Sequence, residues 1–226
     1  MAKNVPHRQN TESRQKLLNT ARELFYEQGY TETTFAQISK VSGINNGLIT
    51  YYFGNKANLA SEIYTSFLLD LRNEIARQLY EIKGNYSLEL GISMENRVIM
   101  HVKFENENLM RFYVEYSHER EDYAMSNQKR SHYYQLQKRL INPNITDEDL
   151  DLYEVCGYAV VTALTEAYST GRITSNMEHV EDYALRLIFN MLELPPLQIE
   201  SLIEESKFLQ DKLNIRVGKN FKLITN

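Results

Sequence analysis

Asn46, Gly47, Leu48 and Thr50 stand together behind Asn45 in the stretch TFAQISKVSGINNGLITYYFGNKANL, residues 34–59. An asparagine amide can donate to and accept from an adenine edge at once, and a leucine can meet a thymine methyl. A glycine beside them lets the backbone lie close to a nucleic acid. The same Asn-Gly pair also suits the mere start of a helix in a surface turn, so these residue types alone leave both readings open. A second cluster, EYSHEREDY from Glu115 to Tyr123, sets Glu115 with Glu119, and His118 with Asp122, on one helical face. That spacing can hold a metal ion, and it equally suits a solvated face that pairs with itself. Covalent chemistry finds no support, because there is no phosphate loop, no G-x-S-x-G elbow and no C-x-x-C. The single cysteine, Cys156, sits in an apolar helical pattern and reads as a buried side chain. The chain is therefore not expected to be an enzyme, nor to need a cofactor or a metal.

Two short helices must position Asn46 and its neighbours. Thr34 opens the first, with a hydroxyl that can accept a backbone N–H while Gln37 reaches back, the capping-box pattern. Phe35, Ile38 and Val41 supply its expected buried stripe. Gly43 can take the positive φ of a sharp turn, and Asn45 is a good N-cap for the second helix. That helix, Asn46 to Tyr52, buries Ile49 and Phe53 and leaves Asn46, Gly47, Leu48 and Thr50 at its outward end. A short fixed turn between two helices, followed by an aromatic and basic exit, is the layout of a helix-turn-helix, whose second helix enters the major groove.

The rest of the chain reads as an all-α body. Asn55 can cap a long helix in which Leu59, Ile63, Phe67, Leu71, Ile75, Leu79 and Ile82 recur, stopped by Gly84-Asn85. Helical segments follow around Val98 to Val102 and Leu109 to Tyr116, and a further helix is expected from about Asp122 to Asn142, ended by Pro143. Thr146 opens another with acidic residues in its first turn, where the helix dipole favours them. Leu152, Val155, Cys156, Ala159, Val160, Ala163, Leu164 and Ala167 give that helix a broad apolar face containing three alanines. Val180, Ala184, Leu187, Ile188 and Met191 form a second such face. Small residues on wide faces let helices approach closely, which suits a four-helix dimer interface as well as a core. Pro195-Pro196 starts an extra helix, and the tail from Ile215 alternates weakly between extended and irregular readings.

Bulk properties agree with a DNA-reading head on a larger body. Residues 1–60 hold seven Lys/Arg against four Glu, whereas the remainder holds 18 Lys/Arg against 26 Asp/Glu. Only a reading head has to neutralise phosphate, although an ordinary acidic globule with a basic start has the same asymmetry. The opening MAKNVPHRQN has no apolar core and no stretch approaches about 18 apolar residues, so a cytoplasmic protein with no membrane segment is expected.

Residues 34–59 resemble the DNA-binding domain of the TetR family of transcriptional regulators, whose pattern runs T-x-x-x-I-A-x-x-A-G-V-S-x-G-x-L-Y-x-H-F-x-[SN]-K-x-x-L. Thr34, Ile38, Gly43, Ile44, Asn45, Gly47, Ile49, Phe53, Asn55, Lys56 and Leu59 fall in register, and RQKLLNTARELFYEQGY resembles the family's first helix through Ala21, Leu24, Phe25, Gly29 and Tyr30. Ser39 and Ser42 replace alanines, Thr50 a tyrosine and Tyr52 a histidine. The resemblance implies an all-helical fold: a flexible arm over 1–10, a helix-turn-helix domain over 11–57, a ligand-binding and dimerisation domain over 58–213, and a tail over 214–226. It implies DNA contacts from Thr34, Ala36, Gln37, Asn45, Asn46, Gly47, Leu48, Thr50, Tyr51, Tyr52 and Lys56, with Tyr51, Tyr52 and Lys56 on phosphate and one of the tyrosines turned inward. It implies a homodimer through Val155, Ala159, Ala163, Ala167, Ala184, Leu187, Ile188 and Met191.

Sixteen tyrosines among 226 residues also bear on ligand binding. Rings with a polar tip suit a pocket for a mostly apolar molecule, and simple core filling suits each one singly. The expected lining is Phe67, Met100, His101, Phe104, Phe112, Tyr113, Tyr116, Tyr133 and Tyr158. The function expected is a repressor that binds a pseudo-palindromic double-stranded operator as a homodimer and is released by a small effector. A TetR-like protein answering to a protein partner is the rival reading.

Overall fold

A computed structural model of the chain describes residues 5–119, 135 and 138–225. The described residues are helical almost throughout. In order they form α1 (Val5–Gln28), α2 (Phe35–Ser42), α3 (Asn46–Phe53), α4 (Lys56–Lys83), α5 (Leu88–Glu105), α6 (Glu107–Ser117), α7 (Asp147–Ser169), α8 (Met177–Met191) and α9 (Pro196–Gln210). Near the end, β1 (Arg216–Val217) and β2 (Leu223–Ile224) pair across a 3-10 turn over Lys219–Phe221. The helix expected over 122–142 lies largely outside the described residues, of which 138–141 are helical. Helix α1 starts at Val5 and takes in residues expected as a free arm.

Local chemistry sets the helix ends. Asn55 Oδ1 accepts the Asn58 N–H at 2.7 Å to open α4, and Gly84, at φ +73°, closes it. Thr146 and Asp149 exchange side-chain bonds to each other's backbone N–H, both at 3.1 Å, at the start of α7. Three expectations fail at the surface. Val41 is 60% exposed, because α2 buries Ile38 and Ser42 instead; Ile82 faces solvent at the end of α4; and Cys156 is exposed on α7.

The chain divides into two compact units, and the boundary differs from the one at residue 57 that the sequence suggested. The first comprises Met1–Asp70, Asn106–Arg120 and Val217–Ile224. Its core joins Leu17, Ala21 and Phe25 of α1 to Ile38, Ile49, Phe53, Leu59 and Ile63. An aromatic cluster extends it: Phe112 lies 5.3 Å from Phe25 and 5.0 Å from Phe221, and Tyr64 lies 5.5 Å from Tyr113, between ring centroids. The tail is thus a core element, tied down further by Asn106 Nδ2 donating to the Val217 carbonyl at 2.9 Å.

The second unit comprises Leu71–Glu105, Glu121–Arg216 and Thr225–Asn226. In it α5, α8 and α9 pack together through Leu90, Met94, Val98, Leu185, Ile188, Phe189, Ile199, Leu202 and Ile203. Arg97 lies wholly buried among these helices. It bonds Ser206 Oγ at 3.0 Å and Glu181 at 3.3 Å, and it also pairs with Asp182. A guanidinium is tolerated there because carboxylates and a hydroxyl meet its donors.

Candidate nucleic-acid interface

The reading helix is held by short-range bonds. Thr34 Oγ1 accepts the Gln37 N–H at 3.2 Å, and Gln37 Oε1 accepts the Thr34 N–H at 2.8 Å. Gln28 of α1 also donates to Gln37 Oε1, at 3.1 Å. Thr34 and Gln37 are therefore engaged in building the head rather than presented as bare readers. Gly43 takes φ +70° and donates its N–H to the Ser39 carbonyl at 2.9 Å. The two serines that replace alanines stitch this turn: Ser39 Oγ donates to the Ile44 carbonyl at 2.7 Å, and Ser42 Oγ accepts the Ile44 N–H at 3.2 Å. Asn45 Oδ1 then accepts the Gly47 N–H at 2.7 Å, and a Cβ at position 47 would stand 3.1 Å from that oxygen. The cap alone accounts for a glycine there.

From this turn α3 buries Ile49 and Phe53 and leaves Asn46, Gly47, Leu48, Thr50 and Tyr51 exposed. Tyr51 is 75% exposed, whereas Tyr52 is half-buried, its ring 6.1 Å from that of Phe53. The inward tyrosine is thus Tyr52. Ala36 is exposed and Asn45 serves as the cap. An exposed amide at the helix's first residue, flanked by a leucine, a threonine hydroxyl and a phenol, can meet base edges and phosphates together.

Lys56 departs from its expected place on phosphate. Its Nζ donates to the Tyr30 carbonyl at 2.9 Å and the Thr31 carbonyl at 3.4 Å, and it stands 4.1 Å from the Tyr30 ring centre. Burial holds its pKa below the usual lysine value, although Glu119, Glu115 and Glu32 oppose that shift. The same turn is gripped from α6. Arg111 Nη2 donates to the Tyr26 and Glu27 carbonyls at 3.1 and 2.9 Å, and Glu115 Oε2 accepts the Thr31 N–H at 2.7 Å. These positioning contacts join residues more than 80 positions apart. No local spacing announces them.

The residues expected to line one pocket fall in different units. Phe67, Phe112, Tyr113 and Tyr116 belong to the first unit and are buried there, while Met100, His101, Phe104 and Tyr158 belong to the second. Tyr133 lies outside the described residues. In the second unit Met100, Val180 and Ala184 form a buried cluster against which Phe104, Val161, Leu164, Tyr168 and Ile173 pack, half-buried. The Phe104 and Tyr168 rings stand 4.4 Å apart. His101 meets Glu181 rather than an open space. Asp122 lies outside the described residues, and among those described no three His, Cys, Asp or Glu are grouped to hold a metal ion.

The expected dimer residues behave differently on the two helices. On α7, Val155 is 61% exposed and lies in line with exposed Leu152, Ala159 and Ala163, while Ala167 is half-buried. On α8, Leu187 and Met191 are half-buried, but Ala184 and Ile188 are buried inside their own unit. Among the described residues, no helix is long and apolar enough to cross a membrane.

Comparison with known proteins agrees with the local geometry. Residues 17–63 match the profile of the bacterial regulatory proteins of the tetR family. The chain is 37% identical over 68 residues to the HTH-type transcriptional regulator HbdR of Aromatoleum sp. (strain CIB), covering 30% of each chain. It is 40% identical over 53 residues to the HTH-type transcriptional regulator AcrR of Shigella flexneri, covering 24% of this chain and 25% of that one. The matches thus span less than a third of these relatives. They are regulators by name, not enzymes. The crystal structure of RolR in complex with resorcinol superposes with a TM-score of 0.59 at 16% identity, covering 88% of this chain and 95% of RolR, which extends the likeness of fold well beyond the head. With a helix-turn-helix capped at both of its helices and a family match over that segment, residues 17–63 are similar to the bacterial regulatory proteins of the tetR family, within an all-helical fold.

Proposed function

We propose that this protein is a ligand-responsive transcriptional regulator, a repressor that binds a pseudo-palindromic operator as a homodimer and leaves it when a small, mostly apolar effector occupies the body. The observation that carries this reading is the exposed start of α3, where Asn46, Leu48, Thr50 and Tyr51 project from a turn fixed by the Thr34, Ser39, Ser42 and Asn45 bonds. A rigid turn presenting an amide at a helix start suits major-groove reading. The outward apolar stripe of α7 supports pairing of two copies, since burying Leu152, Val155, Ala159 and Ala163 removes apolar area from water. The half-buried Phe104, Leu164 and Tyr168 beside Met100 support an apolar effector, and the neighbouring Arg97 is already engaged by carboxylates, which disfavours a multiply anionic one. Release follows as a coupling free energy: an effector that binds better to a conformation mis-spaced for DNA must itself be weakened by DNA.

Selection of bound duplexes from a random pool by the full chain tests the proposal. Enrichment of two inverted half-sites spaced by whole helical turns is expected. Recovery of duplexes with no shared sequence would overturn it.

A further inference from the structure

His101, one turn beyond Arg97 on α5, places both of its ring nitrogens against carboxylates. Its Nδ1 lies 3.0 Å from Glu181 Oε1 and its Nε2 lies 3.3 Å from Glu105 Oε1. A neutral imidazole has one N–H and one lone pair, so it can donate to only one of them and turns its lone pair on the other. The imidazolium donates to both. Glu181 is 1% exposed, and its second oxygen meets Arg97. Arg97 is shared in turn with Asp182, Ser206 Oγ and, at 3.4 Å, the Ile203 carbonyl. One buried guanidinium therefore faces two carboxylates of α8, and a proton on His101 supplies the second positive charge.

Among the described residues, Lys207 and Arg186 also act on Asp182, and both are paired with other carboxylates. On α9, Lys207 pairs with Glu178 of α8 and feels Asp182 and Glu204 at longer range, while Arg186 of α8 pairs with Glu200 of α9 and likewise feels Asp182 and Glu204 at longer range. From α7, the side chains packed on the neighbouring Met100 cluster are Val161, Leu164 and Tyr168.

We propose that His101 is a proton-operated fastener between α5 and α8, closed when the imidazole is charged and weakened when it is neutral. The bond to Glu181 raises its pKa from the ordinary 6.5 and outweighs the burial that lowers it. A group whose pKa is raised by folding stabilises the fold fully below its unfolded value and loses that contribution as pH rises through the folded value. The second unit should therefore loosen on the alkaline side of pH 6.5. This inference concerns the body alone and stands apart from the reading of DNA.

The test uses the full chain, His101→Gln and Glu105→Gln. The imidazole Cε1–H resonance of His101, identified by its loss in His101→Gln, should titrate above 6.5, and Glu105→Gln should lower that midpoint while the fold persists. In urea, the unfolding constant of the natural chain should rise between about pH 6 and pH 9 by about tenfold for each unit of elevation. That increment should be missing from His101→Gln. A His101 midpoint at or below 6.5, no change in it in Glu105→Gln, or the same pH dependence of unfolding in both chains would overturn the proposal.

Discussion

Replacing Gly29 by alanine should weaken the first unit for two separable reasons. Gly29 sits at φ +87°, where an L side chain costs about 1–2 kcal/mol. Its new Cβ would also stand 2.6 Å from Glu115 Oε2 and 2.9 Å from Oε1, inside contact distance. That carboxylate must move away from the Thr31 N–H it accepts at 2.7 Å. Because the amide lies at the surface, water partly replaces the bond, and its loss costs about 0.5–1.5 kcal/mol. Gly29→Ala should thus cost about 1.5–3.5 kcal/mol in all. Glu115→Ala alone removes the bond and the two nearest atoms, leaving Arg111 Nε at 3.1 Å, so Gly29→Ala on that background should add little beyond the backbone cost of about 1–2 kcal/mol. Urea unfolding of the four chains, followed by circular dichroism, gives the coupling directly. Strict additivity would refute the account, because it would mean that the Glu115 carboxylate does not fill the space beside Gly29.

Three further outcomes follow from the same geometry. Asn46→Ala should cost about 1–3 kcal/mol on the preferred duplex and relax the choice at one base pair per half-site, measured by fluorescence anisotropy against single-site variants; equal loss on every duplex would remove its reading role. Ala163→Arg should give monomers in sedimentation, since a guanidinium buried without a partner costs about 3–5 kcal/mol, and a chain that still pairs would place the interface elsewhere. Phe221→Ala should destabilise the first unit by about 3–5 kcal/mol while leaving α5, α8 and α9 protected in hydrogen exchange; loss confined to those helices would contradict the packing.

What could be read in the sequence was what short-range bonds decide. The Thr34–Gln37 box, the left-handed Gly43 and the Asn45, Asn55 and Thr146 caps each join atoms within a few residues, so residue type and spacing specify them. Val41 was misread because two turns of helix carry too few apolar residues to fix which face turns inward. Cys156, Ala184 and Ile188 show a different limit. A wide apolar face looks the same whether it meets its own chain or nothing in its own chain, and here α7 leaves Cys156 exposed while α8 buries both others. The pocket set divides between the two units because tyrosine and phenylalanine content says how much ring area needs burying, not which unit receives it. The grips of Arg111 and Glu115 on the end of α1, and the Arg97–Glu181–His101 set, depend on chain segments brought together only by folding.

The place of Phe221 has a consequence for how the protein is made. Its ring completes an aromatic cluster begun by Phe25, Tyr26, Phe67 and Phe112, so segments translated far apart in time share one core. At about 5–20 residues per second, a ribosome needs about 10–40 s to travel from Phe25 to Phe221. During that interval the nascent head carries the apolar surface that Phe221 later covers. A fusion or a nick near residue 217 would for the same reason disturb the core around Phe25, and a screen for such lesions would recover them as defects of the head.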